Sequence, residues 1–139
     1  MKKIAALLLF ALVSPVLAET PAGNDDPVSR YLIPPEKILG AAKEIGLDDT
    51  QKKAIRAEIT KGQAKFLDLQ FDMKDKSERL ATLLQEKPVD EAKVLSELDE
   101  ILATEKEIKR VQLSLLIRIK NTLTPAQEKR LAEIQKREQ

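Results

Sequence analysis

The chain has 139 residues, the size of one small domain, and its 24 basic and 23 acidic residues nearly balance. It contains no Cys and no His, so disulfide staples, the commonest metal ligand and the commonest general base are all missing. Balanced charge also argues against nucleic acid as a partner, because phosphate binding needs a basic excess.

The N-terminus reads as a secretory signal over residues 1–18. Lys2 and Lys3 supply its charge and residues 4–13 are an unbroken apolar run. Ser14-Pro15 ends that run, and Ala18 stands before the expected cut at Glu19. The run is too short to span a membrane. No later apolar run stays clear of charge for long, and without Cys no lipid anchor can form at the cut. The expected product is exported and has no stable membrane insertion after cleavage. Loss of the two lysines leaves 22 basic and 23 acidic residues, net −1.

Residues 19–33 read as a disordered tail, with Pro21, Gly23, Asn24, Asp25, Asp26 and Pro27 close together. Residues 34–139 read as one helical domain. A short helix starts at Pro34-Pro35, carries the apolar stripe Ile38, Leu39, Ala42 and Ile45, and ends at Gly46, where a left-handed cap is wanted. Asp48 then caps a second helix, and Gln51 stands where its side chain can reach back to the capping backbone. No Gly or Pro except Gly62 interrupts the chain from there to Pro88.

The apolar residues of this helix keep a heptad rhythm: Ile55, Ile59, Gly62, Phe66, Leu69, Met73, Lys76, Leu80, Leu83. Gly62 permits close approach of a neighbour. Glu86-Lys87-Pro88-Val89 reads as a tight turn, with Val89 and Val94 as a hydrophobic staple around the cap Asp90. A third helix runs to about Asn121 on the seam Val94, Leu98, Ile101, Glu105, Ile108, Gln112, Leu115, Ile119. Two seams of similar length joined by a short turn fold back as an antiparallel hairpin. Glu105 and Gln112 either set its register or mark where the seam opens to solvent. Thr124, Pro125 and Gln127 start a last helix, amphipathic through Leu131 and Ile134.

The two strongest start signals match. Leu47, Asp48, Gln51 and Ile55 recur as Leu123, Thr124, Gln127 and Leu131 at the same spacing. On these residues the chain resembles the Spy/CpxP family of periplasmic proteins, marked by the motif LTxxQ. Residues 123–127 match that motif fully, and residues 47–51 match it with Asp48 in place of Thr. The resemblance covers roughly residues 34–137 and implies a periplasmic location and a four-helix hairpin that pairs into a homodimer. It implies an ATP-independent chaperone of the stress response that binds unfolded or partner proteins. The alternative it carries is a heavy-metal sensor or resistance-associated signalling protein, acting through a sensor kinase or anti-sigma partner. Metal-sensing members use histidines, which this chain lacks. The motif residues themselves read as helix caps.

Beyond the seams, Leu67 and Phe71 on the second helix and Leu113 and Ile117 on the third lie off the seam. They are candidates for a client or dimer surface, unless the first and last helices cover them. Lys52, Lys53, Arg56, Lys61 and Lys65 make the start of the second helix basic. That run reads as a solvated face, or as a device that steers acidic clients. No phosphate loop or nucleophile motif is present. No catalysis, cofactor or metal site is therefore expected.

Overall fold

The computed structural model describes residues 31–138. The expected signal over 1–18 and residues 19–30 of the expected tail lie outside the described residues. The described part holds five helices and no strand: α1 (Pro35–Gly40), α2 (Ala42–Ile45), α3 (Asp49–Leu83), α4 (Glu91–Thr122) and α5 (Pro125–Arg137). It is an all-α fold dominated by α3 and α4, which pack along each other as the antiparallel hairpin that the two seams require.

The expected short first helix is two, broken at Ala41, whose backbone leaves the helical region at ψ 3°. Gly40 precedes the break, and glycine is the weakest helix former after proline. Gly46 adopts φ 71°, the left-handed conformation expected of it, and ends α2.

Helix α3 runs for 35 residues, about 52 Å. It stops one turn short of Pro88. Proline has no N–H to donate to the preceding turn and disfavours helical geometry at Lys87. The chain accordingly tightens, with the N–H groups of Gln85 and Glu86 donating to the carbonyls of Thr82 and Leu83 at 3.1 and 3.3 Å. Val89 is exposed, so the expected staple is not buried. Asp90 caps α4 as expected, accepting from the Lys93 N–H at 3.2 Å.

All nine α3 seam residues are at least half-buried, as are the α4 seam residues other than Leu98. The register is read from pairs across the hairpin. Arg118 meets Glu58 at 3.3 Å, and Arg79 meets Glu97 at 3.0 Å. At Gly62 an added Cβ would come within 3.0 Å of a Leu115 methyl, so the glycine supplies the close approach that its seam position suggests. Ile38, Ile45, Leu47, Ile55, Ile119 and Leu131 form the buried core at the closed end, with Ile33 packed against it.

Toward the turn, the hairpin carries a polar layer. Lys76, only 14% exposed in its side chain, donates to Thr104 Oγ1 at 2.7 Å and pairs with Asp72 at 2.9 Å and Glu100 at 3.6 Å. The Thr104 hydroxyl donates to Asp72 at 2.9 Å. This layer, rather than Glu105 or Gln112, fixes register. Those two are half-buried, and among the described residues neither makes a side-chain hydrogen bond. The bond from Lys76, with that from Thr104, holds the Asp72 carboxyl below its ordinary pKa.

Replacing Gly62 with Leu is expected to lower stability by about 1–3 kcal/mol through overpacking against Leu115, read as a fall in the denaturant midpoint. A carboxylate whose folded pKa is depressed stabilises the fold above its unfolded pKa, and that contribution fades as pH falls through the folded value. Wild type is therefore expected to lose more stability than Asp72→Asn on acidification from about pH 4 downward, measured by urea unfolding at each pH.

Candidate functional site: the motif clasp and the apolar flank

Both motif copies form complete capping boxes. Asp48 Oδ1 accepts from the Gln51 N–H at 2.7 Å, and Gln51 Oε1 accepts from the Asp48 N–H at 3.1 Å. Thr124 Oγ1 accepts from the Gln127 N–H at 3.2 Å, and Gln127 Oε1 accepts from the Thr124 N–H at 2.9 Å.

The structure adds a contact that the separate readings of each motif missed. Gln51 Nε2 donates to Gln127 Oε1 at 2.8 Å, and Gln127 Nε2 donates to Gln51 Oε1 at 2.9 Å. Each amide nitrogen also donates to the carbonyl just before the other motif. Gln51 reaches Thr122 O at 2.9 Å and Gln127 reaches Gly46 O at 3.0 Å. The two motifs are thus related by an approximate two-fold, and each amide uses two donor and two acceptor positions, its full capacity. The signal was present in the sequence: identical amides at matching places in two copies can pair reciprocally.

Around this clasp Leu47 and Leu131 are buried and Leu123 is half-buried, packed against the core. Among the described residues no buried side-chain nitrogen or oxygen lacks a partner. The six motif residues are therefore architectural: they close one end of the hairpin over α2 and α5.

The off-seam residues behave differently. Leu67 is 52% exposed, Phe71 60%, Leu113 45% and Ile117 43%. Neither α1 nor α5 covers them. The register decides whether they share a surface. Glu58, Asp72 and Arg79 each precede an α3 seam residue by one, and Glu97, Thr104 and Arg118 each precede an α4 seam residue by one. These residues meet one another across the hairpin, so they occupy one flank of the seam. In an antiparallel pair, residues that follow a seam residue by one fall on the opposite flank on both helices.

Leu67 and Leu113 both follow a seam residue, so they share that second flank, about 4.5 Å apart along the axis. Phe71 and Ile117 lie one turn further on at its outer edges. Leu95, Leu102 and Leu116 also follow seam residues, spaced in heptads; Leu95 and Leu102 are exposed and Leu116 is half-buried. That stripe was visible in the sequence but was hidden beside the seam. Arg56, Lys74, Lys106, Lys109 and Lys120 follow seam residues too, against the single acid Asp99. One flank is hence polar and ion-paired, while the other is apolar with a cationic border.

A shallow depression of about 640 Å³ opens beside Gly62, lined both by Lys61, Lys65, Glu107 and Arg118 and by Leu113 and Ile117. Its charged walls suit no buried small ligand. Among the described residues no three Asp or Glu side chains gather to hold a metal ion, and no helix there is long and apolar enough to cross a membrane. Met73 is half-buried in the seam. With neither Cys nor His in the chain, these donors do not fit a bound transition metal.

Fold and surface together define an all-helical hairpin protein, clasped at one end and apolar along one flank. The sequence pattern of the heavy-metal resistance family matches residues 4–130, and the chain belongs to that family, which lies in the Spy/CpxP-like helical group. Comparison with curated proteins and with solved structures finds no match.

Gln51→Ala and Gln127→Ala are each expected to cost about 1–3 kcal/mol, because each leaves partly buried partners unsatisfied. The double variant is expected to cost clearly less than the two added together, since both remove the same bonds. Thermal unfolding of the four proteins in this cycle checks it.

Proposed function

We propose that the chain is a non-catalytic, ATP-independent chaperone of the periplasm. It holds partly unfolded exported proteins on the apolar flank of the hairpin as part of heavy-metal resistance. The observation that carries this reading is the uncovered flank itself, where Leu67, Phe71, Leu113 and Ile117 stand half-exposed beside cations.

Burying apolar surface contributes about 25 cal/mol per Å², enough for reversible holding with no fuel. The bordering Arg56, Lys106 and Lys109 draw acidic stretches of a client by long-range attraction. Transition-metal ions disturb exported proteins through thiolate and imidazole ligands. A chain with neither Cys nor His offers such ions little to attack, which suits work under metal stress.

A second reading follows from the family description: a signalling or resistance protein that acts through a sensor kinase or anti-sigma partner. Calorimetric titration with zinc, nickel, cobalt and copper separates the two. Micromolar binding with proton release supports the second; no heat of binding is expected under the first.

Light scattering of a denatured client tests the chaperone reading. An equimolar amount of the chain is expected to suppress aggregation, and the double variant Leu113→Ser, Ile117→Ser to lose most of that effect while unfolding at a similar temperature. Aggregation unchanged by the wild-type chain removes the proposal.

A further inference from the structure

Along the apolar flank the leucines come in two sets. Leu84, Leu95 and Leu102 stand toward the turn, and Leu67, Leu113 and Leu116 toward the clasp. The register set by Arg79 with Glu97 and by Asp72 with Thr104 places Lys74, Lys106 and Lys109 between the two sets, as a cationic band about 9 Å long. Phe71 borders the band at its outer edge. All three lysines are exposed. Lys74 has only the exposed Glu78, at 3.7 Å, and Lys106 and Lys109 pair with none of the described acids. Asp99, the one acid that follows a seam residue, lies outside the band, between Leu95 and Leu102.

We infer that this flank takes a helical segment of another protein, about 21 residues long, with apolar residues in its end turns and carboxylates in its middle turns. The inference names the class of client and rests on the client-holding reading above. Three features of the chain select that occupant.

The first is the backbone. Every element among the described residues is a helix, so none of them offers a sheet edge to an extended strand. An extended segment pressed onto leucines would leave its N–H and C=O groups with neither water nor partner, which is costly. A helix arrives with those groups already satisfied.

The second is the period. Leu95, Leu102 and Leu116 stand at multiples of seven residues, and Lys109 holds the heptad place between the last two. Seven is the repeat of a helix that packs along another helix. The distance from Leu95 to Leu116 is about 32 Å, which a helix of about 21 residues spans.

The third is the band. A segment apolar along its whole length would bury these lysines without a partner. Carboxylates in the middle turns convert the same contact into charge-assisted hydrogen bonds. A lipid surface is a poorer fit, because helices that lie on membranes keep their cations beside the apolar face, whereas this band interrupts it.

Three labelled 21-residue peptides test the inference on the full chain. The first has leucines at heptad seam positions in its end turns and glutamates in its middle turns. The second carries lysines in place of those glutamates. The third has the composition of the first, with apolar and polar residues in strict alternation. Fluorescence anisotropy reads affinity and circular dichroism reads helix formed on binding. The first peptide is expected to bind and gain helix, and each of the others to bind roughly tenfold more weakly. The variant Lys106→Glu, Lys109→Glu is expected to unfold at a similar temperature and to prefer the second peptide over the first.

Equal affinity for the first and third peptides overturns the helical occupant. Equal affinity for the first and second, or an unchanged preference in the variant, overturns the role of the band. Sedimentation of the chain with phosphatidylglycerol vesicles, without binding of any peptide, assigns the flank to lipid and overturns the inference as a whole. If the first peptide binds as expected while aggregation of a denatured client is unchanged, the chaperone reading fails and the helix site stands. If aggregation is suppressed while the peptides bind without regard to order or charge, the helix site fails and the chaperone reading stands.

Discussion

The mutual pairing of Gln51 and Gln127 is the constraint on which the rest of the structure depends. Short helices such as α2 and α5 are marginal alone and persist only by packing. Here they are held to the hairpin end because each glutamine caps its own helix, grips the other glutamine and takes up the carbonyl before the opposite motif. With those polar groups satisfied, Ile55, Ile119 and Leu131 can be buried beside them. Loss of one amide leaves several donors and acceptors unsatisfied in a part-buried place, where each is costly.

Closing the hairpin at one end dictates what is left open along its length. Two helices cover only the seam between them, so the flanks must be either polar or partnered. The flank with Glu58, Asp72, Arg79, Glu97, Thr104 and Arg118 is polar, with contacts across the seam that fix register. The other flank carries leucines at the same kind of position where charges would be ordinary, and nothing in the described chain folds over it. An apolar strip of this extent on a protein of the heavy-metal resistance family suits contact with another polypeptide, which is what the proposed function requires.

Much of this was legible in the sequence because the physics is local. Capping at Asp48, Asp90 and Thr124, the left-handed Gly46 and the close approach at Gly62 depend on a few adjacent residues or one seam. The hairpin followed from heptads alone. What was not legible depended on which residues meet across the hairpin, from 28 positions apart for Lys76 and Thr104 to 76 for Gln51 and Gln127. Gln51 and Gln127 were read as separate caps, although their equivalence held the clue to their pairing. Lys76 falls on the seam in the sequence, but its partners Asp72 and Thr104 both stand beside the seam, where nothing in the heptad pattern distinguishes them from Glu105 and Gln112. The off-seam pairs Leu67–Phe71 and Leu113–Ile117 were found singly. Only the register, which the sequence does not fix, joins them on one flank. Ala41 ends α1 for a reason as local as the caps, yet a weak one, since glycine lowers helix propensity without forbidding a helix.

The central claim is that the two flanks differ in function, and thiol footprinting tests it most directly. Single cysteines replace Leu67 and Leu102 on the apolar flank, and Lys61 and Glu107 on the polar flank. Maleimide labelling rates are then compared with and without an unfolded client. The account requires slower labelling at positions 67 and 102 and unchanged rates at 61 and 107. Equal protection of all four positions, or protection of the polar pair alone, would contradict it.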